Sequence, residues 1–205
     1  SSTAQFTINI NDVNDNTPVA NADSISVVEG GTKTTLDPSG TSVLANDTDA
    51  DLPGDTLTVA SVTGAAAGTV GAATATAHGS VTLNSNGTFS YTHDSSENFT
   101  DSFTYTVFDG VNTSSAATVT VTITPVNDAP AGADKAITIN ESGSHTFAVS
   151  EFGFTDPNDT PPNNFVSIKI SSLTLESGDS LTVNQGGVVS VTNGMVITTA
   201  QIPSL

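Results

Sequence analysis

Oxygen-bearing side chains crowd two short stretches of this sequence. DVNDNTP sets Asp12, Asn14, Asp15 and Asn16 just ahead of Pro18, and NDTDADLPGD sets Asp47, Asp49, Asp51 and Asp55 into one loop-like run. A near copy of the first, PVNDAP, returns with Asn127 and Asp128, and TDPNDTPPNNF carries Asp156 and Asp159. Carboxylates, amide carbonyls and backbone carbonyls are the hard ligands of calcium, which takes about six to eight oxygens at roughly 2.3–2.6 Å. Magnesium tolerates irregular cages poorly. The competing account of the same residues is an acidic, flexible hinge whose Asn and Asp only make turns.

Other chemistries find less support. Asp47, Asp49 and Asp51 match the first, third and fifth positions of an EF-hand loop, but Leu52 stands where the loop needs glycine and Thr58 where it needs a bidentate glutamate. The calcium β-roll repeat G-G-x-G-x-D is not found. His78, His93 and His145 occur in unlike contexts without metal-ligand spacing and read as ordinary surface histidines. Asp94 with Glu97 resembles a glycosidase pair only in type, since the chain has no Trp and 2 Tyr to build a sugar platform. No nucleophile–base constellation appears, so an enzyme is not expected. Asp37 and Asp179, outside these loops, read as solvated surface charge.

Composition narrows the partners. The 21 acidic residues face 3 basic ones, for a formal net charge of −18. Nucleic-acid binding needs cationic side chains to displace phosphate counterions, and an anionic membrane surface makes a similar demand. Such a surface attracts cations instead, whether as a diffuse cloud that keeps the protein soluble or at discrete sites. With 0 Cys, neither disulfides nor a thiolate zinc site enter the account. There is no apolar run long enough to span a bilayer as a helix. The opening SSTAQFTINI reads as an internal strand rather than a true N-terminus.

The elements that must position the acidic loops come from an internal repeat. SSTAQFTININD at Ser1 aligns without a gap with SSAATVTVTITP at Ser114, so that Phe6, Ile8 and Ile10 match Val119, Val121 and Ile123. NADSISVVEGG at Asn21 then matches GADKAITINESG at Gly132, and the Thr48 loop matches the Thr155 loop. Period-2 alternation predicts strands over 24–29, 56–62, 80–92, 102–108 and 117–123. Leu57 and Val59 are expected on one side, as are Phe103, Tyr105 and Val107. Asn86-Gly87 predicts a type I′ hairpin turn. The Ala/Gly-rich stretch 64–79 is either a long loop or a weak edge strand. The pattern is all-β, a tandem Greek-key sandwich. Residues 1–13 are expected to be the last strand of a preceding domain, 14–126 one whole domain, and 127–205 a second, truncated one. The unpaired end strands are expected to fray rather than add to another sheet edge.

DVNDNTP fits the D-x-N-D-N-x-P linker of animal cadherins residue for residue. The larger unit, with VLANDTDADLPGDTLTV, GSVTLNSNGTFSYTHD, DSFTYTVFDG and VTVTITPVNDAP, resembles the bacterial cadherin-like tandem domains of large secreted, RTX-type surface adhesins. That resemblance implies cadherin- or immunoglobulin-like sandwiches joined by calcium-binding junctions. In a Greek key of this kind, Asp47, Asp49, Asp51, Asp55 and Asp109 should meet Asp12, Asn14, Asp15 and Asn16 at the top of the domain. Glu29, Glu97 and Asp101 should lie at the bottom, facing Asn127 and Asp128 and, from the next domain, Asp156 and Asp159. The implied role is a calcium-stiffened extender in a bacterial cell-surface adhesin, serving cell adhesion or biofilm from outside the cell. Its partners would be neighbouring repeats, with other cells or surfaces reached through distal domains. The alternative is a homophilic or glycan-binding module of a secreted multidomain protein, which would need exposed aromatics or an apolar patch.

Overall fold

The computed structural model describes residues 13–52 and 55–205, which divide into two compact units, one reaching Val126 and the other spanning Asn127–Leu205. Asp12 and the segment 3–10 lie outside the described residues. The described residues are all β apart from short 3₁₀ turns. No helix among them is long and apolar enough to cross a membrane.

The first unit contains β1 (Asp23–Val28), β2 (Thr32–Lys33), β3 (Thr58–Thr63), β4 (Ala73–Ala75), β5 (Gly79–Leu83), β6 (Phe89–His93), β7 (Thr100–Phe108) and β8 (Ala117–Thr124). They form two four-stranded sheets, ordered β1-β8-β7-β3 and β2-β6-β5-β4. Strict alternation on β7 and β8 sends Phe103, Tyr105, Val107, Val119, Val121 and Ile123 into the core and their neighbours outward. Ile25 and Val27 of β1 and Val81, Leu83, Phe89 and Tyr91 of the other sheet belong to the same core. Each such large apolar side chain contributes about 1.5–3 kcal/mol relative to an exposed one.

Topology fixes the ends. β1 runs parallel to β8, Asp23 opposite Val119 through Val28 opposite Thr124. The chain therefore enters this unit at one end and leaves it at the other. β7 is antiparallel to β8 and β3 antiparallel to β7. The loops before β3 and after β7 consequently gather at the entry end, beside the residues that precede β1. The turn after β1 and the loop before β7 gather at the exit end.

Three local expectations are refined. The 84–88 turn is not type I′, because Asn86 does not take positive φ. Instead Gly87 N–H donates to Asn84 O and Asn84 N–H to Thr88 O, with Gly87 at φ 81. That is a three-residue loop, a type I turn followed by a left-handed glycine. Only glycine suits the position, since a Cβ there would lie 2.2 Å from Ser42 Oγ. In β3 a bulge between Val59 and Ser61 breaks alternation, so Val59 and Val62 are the buried pair. The Ala/Gly-rich stretch supplies β4 at the edge of its sheet, the weak edge strand rather than a plain loop.

The second unit holds β9 (Ser167–Lys169), β10 (Thr182–Asn184), β11 (Val188–Ser190) and β12 (Val196–Thr198). They pair antiparallel as β9 with β12 and β10 with β11. Val183, Val191, Ile197, Ile202 and Leu205 form its core, with Phe147, Phe152 and Phe165 packed against it. Phe152 is thus a core contact.

Candidate functional site

At the entry end, the linker and two loops are tied by a dense set of hydrogen bonds. Asp51 Oδ2 accepts the backbone N–H of Asp15 at 3.1 Å and of Asn16 at 2.9 Å, while its Oδ1 accepts Asn16 Nδ2 at 2.7 Å. Asn14 Nδ2 donates to Asp109 O at 3.1 Å, and Asn112 Nδ2 donates to Asn16 O at 3.0 Å. Asp109 Oδ1 accepts the amides of Val111 and Asn112 at 2.7 and 2.6 Å, and Asp49 Oδ1 accepts that of Asp51 at 2.9 Å. Pairing of Val19 with Thr48 holds the acidic loop against the linker.

One oxygen on each of several side chains is left over. Asn14 Oδ1, Asp49 Oδ2, Asp55 Oδ2 and Asp109 Oδ2 are buried and accept no hydrogen bond from the described residues. Oxygens of Asp49, Asp51 and Asp55 lie within 4.8 Å of one another. Two oxygens across a calcium ion would be separated by about 4.8 Å at ordinary bond lengths. A buried acceptor without a donor is costly, and several anions together multiply the cost. Burial, then the charges of Asp51, Asp49 and Asp109, raise the Asp55 carboxyl above its usual range. The donors of Asn16 hold Asp51 below that range. Burial opposes the charge on Asp109, but the amides of Asn112 and Val111 outweigh it and keep its pKa low. The donor set is all oxygen and mostly anionic, which fits a hard divalent cation such as calcium.

Asp47 does not join this group. Its carboxylate turns inward, accepting Asn21 N–H at 2.7 Å and lying 3.1 and 3.2 Å from the Tyr105 hydroxyl. Asp101 is also turned inward: its Oδ2 accepts Tyr91 O–H at 2.7 Å and His78 N–H at 3.2 Å, and its Oδ1 accepts Ser102 N–H at 2.7 Å. Both aspartates are better described as internal braces than as loop ligands.

At the exit end, Glu29 Oε2 accepts Val126 N–H at 3.0 Å, and oxygens of Glu29 and Glu97 come within 4.8 Å of each other. The two loops that carry them share His93, whose Nδ1 accepts both Gly30 N–H and Ser95 N–H at 3.1 and 3.2 Å. His93 is therefore a buried brace and not the surface residue its sequence context implied. His145 is partly exposed and meets Glu151 at 3.0 Å.

Within the second unit the linker repeats the entry-end pattern. Asp159 Oδ1 accepts Asp128 N–H at 3.0 Å, as Asp51 accepts Asp15 N–H, and Ala131 pairs with Thr155 as Val19 pairs with Thr48. Asn163 donates from its backbone to Asp156 Oδ2 at 2.6 Å and from Nδ2 to Asn127 Oδ1 and Asp159 Oδ2 at 2.9 and 3.0 Å. Asp156 Oδ1 remains buried without a donor among the described residues. Neither Asn112 nor Asn163 was expected among the site residues. The only signal for either was proximity to an aspartate loop, DGVN and NDTPPNN.

No curated protein matches the chain. A family model described as a bacterial cadherin-like domain matches residues 14–125, from the linker asparagine to the residue that follows β8. The match takes in the linker from Asn14 onward, both entry-end loops and all eight strands of the first unit. This chain belongs to the bacterial cadherin-like domain family, a structural and adhesion fold rather than a catalytic one.

Proposed function

We propose that the chain is a calcium-stiffened extender segment of a bacterial cell-surface adhesin, working outside the cell in adhesion or biofilm. The observation that carries this reading is the set of buried oxygens without donors where the linker meets the 46–55 and 109–112 loops. Asn14, Asp49, Asp51, Asp55 and Asp109 would hold the first ion, with Asp12, Asp15 and Asn16 of the linker beside them. Glu29 and Glu97 at the exit end of the first unit and, within the second unit, Asn127, Asp128, Asp156 and Asp159 would serve as further calcium ligands. When bound, calcium supplies positive charge that offsets the mutual repulsion of these carboxylates. The chain's own part is to fix the remaining oxygens by backbone donors, so that few degrees of freedom are lost on binding.

Stiffness follows from mass action. An ion that binds only the docked arrangement stabilises it by RT ln(1 + [L]/Kd), about 2.7 kcal/mol when calcium exceeds Kd a hundredfold. Extracellular calcium modules have Kd values of roughly 10⁻⁴–10⁻³ M. A segment of this kind would be rigid in calcium-rich surroundings and loose where calcium is scarce. Calorimetry and small-angle scattering, with calcium and then with chelator, test this. The expected result is a higher melting temperature and a narrower distribution of unit-to-unit angles with calcium. Indifference of both to calcium would sink the proposal.

A further inference from the structure

Two turns of the first unit meet at a single ring nitrogen. His93, 3% exposed, accepts at Nδ1 the backbone N–H of Gly30 at 3.1 Å and that of Ser95 at 3.2 Å. A ring nitrogen that accepts N–H groups carries no proton, so the imidazole is neutral with its hydrogen on Nε2. That hydrogen finds no partner among the described residues, since Asp94 Oδ1, at 3.8 Å, is beyond hydrogen-bonding reach. A buried donor left idle is a cost, and what the ring gives in return lies at Nδ1. Both amides that it receives come from left-handed backbone, with φ 65 at Gly30 and at Ser95. Glycine takes this conformation freely, but serine rarely does. The turns are also in close contact: a Cβ on Gly30 would stand 2.7 Å from Ser95 Oγ.

Each turn is stiff in itself. Glu29 N–H donates to Thr124 O at 2.9 Å and Gly31 N–H to Val28 O at 2.8 Å. On the other side Asp94 Oδ1 accepts Ser96 N–H at 3.0 Å, and Ser96 Oγ accepts Asn98 Nδ2 at 2.9 Å. Glu29 immediately precedes Gly30, and Glu97 lies just beyond Ser95 and Ser96. We propose that His93 is the positioning residue of this carboxylate pair, holding Glu29 and Glu97 at a spacing that suits a hard divalent cation. It acts through the amides of Gly30 and Ser95 and not as a ligand. The role rests on the calcium reading proposed above and adds to it the residue that governs affinity at the exit end. Two carboxylates with oxygens within 4.8 Å repel each other and would part if their turns were free. Held at that spacing beforehand, they lose less freedom when the ion arrives. A neutral imidazole does this without adding charge that would repel the cation. Outer partners of metal ligands typically govern affinity by about 10- to 100-fold.

The test uses the full 205-residue chain. Calcium titration calorimetry of the parent and of the Glu29→Gln, Glu97→Gln double variant identifies the ions that the exit end takes up. His93→Leu keeps a buried side chain but no acceptor, and should weaken that class about 10- to 100-fold while leaving the others unchanged. His93→Asn should restore it, because its Oδ1 stands in the place of Nδ1. His93→Gln, whose amide reaches the place of Nε2, should not, and it carries the same prediction should His93→Leu fail to fold. Hydrogen exchange in chelator gives a readout that needs no metal. The Gly30 and Ser95 amides should be protected in the parent and in His93→Asn, and unprotected in His93→Gln and His93→Leu. Added to the double variant, His93→Leu should lower the melting temperature without further change in calcium uptake. A parent that takes up no calcium would overturn the calcium reading and this role with it. Uptake that the double variant leaves intact, uptake that neither His93→Leu nor His93→Gln alters, or an equal loss with His93→Asn would overturn this role alone.

Discussion

Asp47 and Asp49 stand two residues apart in one loop and meet opposite fates. Asp49 lies beside Asp51 and Asp55 and keeps one buried oxygen without a donor, as do Asn14, Asp55 and Asp109. Asp47 faces inward to Tyr105, where the shortage is also one of protons. The Tyr105 hydroxyl lies 2.9 Å from Asn21 O, 3.0 Å from Val43 O, 3.2 Å from Asp23 Oδ2, and 3.1 and 3.2 Å from the two oxygens of Asp47. It has one hydrogen for five acceptors. Both regions concentrate negative oxygen, but they resolve it differently. The inner cluster is closed by the protein's own hydroxyl and by burial that raises the pKa of both Asp23 and Asp47. In the linker cluster the Asn14, Asn16 and Asn112 amides donate, yet one oxygen on each of Asn14, Asp49, Asp55 and Asp109 is left without a donor among the described residues. The contrast separates a brace closed by the protein's own hydroxyl from a cluster that keeps buried oxygens without donors among the described residues.

The largest effect expected is at the brace. Tyr105→Phe keeps the ring, which is 1% exposed and packed in the core, and removes the one hydrogen that the five oxygens share. Loss of a buried donor to charged acceptors should cost about 3 kcal/mol. Urea denaturation should show that loss equally in calcium and in chelator. A loss seen only in calcium would mean that the two clusters are one cooperative site and that the contrast is false.

The linker cluster should behave the other way. Asp55→Asn removes a charge that burial and three neighbouring aspartates already disfavour. In chelator the variant should be at least as stable as the parent. In calcium at tenfold over Kd it should lose the ion's contribution, about 1.4 kcal/mol by mass action. A reversal of sign between the two conditions is the signature. A loss of equal size in both would assign Asp55 to the brace class with Asp47.

What could be seen in the sequence depended on how local the cause was. Phe103, Tyr105 and Val107, and Val119, Val121 and Ile123, alternate because each sits on a regular strand with one buried face. The convergence of the linker with the 46–55 and 109–112 loops followed from strand order, which the resemblance to cadherin-like repeats implied. Side-chain direction within those loops did not follow. Asp47, Asp49 and Asp51 alternate like ligands in one row, yet the 3₁₀ turn Val43–Asn46 and the pairing at Thr48 rotate Asp47 into the core. Nothing in the residue types marks that rotation. The bulge in β3 was equally hidden, since it exchanges Ser61 for Val62 at the core by a backbone irregularity. His93 was misplaced because its partners, Gly30 and Ser95, donate through backbone amides that no side-chain pattern reveals.

The smallest effect, and the finest division of the two regions, is in pH. Burial, aided by the charge of Asp47 and opposed by donors from Tyr105 and Asn46, raises Asp23 from 3.8 to about 6. A raised carboxylate binds its proton more tightly folded than unfolded. The stability it brings is therefore full below about pH 4 and is lost as pH rises through about 6. Asp51 and Asp109 are lowered, so theirs is present above about pH 4 and lost on further acidification. Asp47 and Asp55 share the sign of Asp23, so the measurement belongs in an Asp55→Asn background with chelator present, where Asp23 and Asp47 of the brace are left to account for the fall. Melting temperature there should fall between pH 4.5 and 6.5, and adding Asp23→Asn should reduce that fall, Asp47 supplying the remainder, while leaving the acid limb unchanged. Asn cannot titrate but keeps an amide oxygen near Tyr105, so the slope is changed without emptying the cluster. If the fall is undiminished, the extra proton of the brace resides on Asp47 alone, and Asp23 is only its spectator.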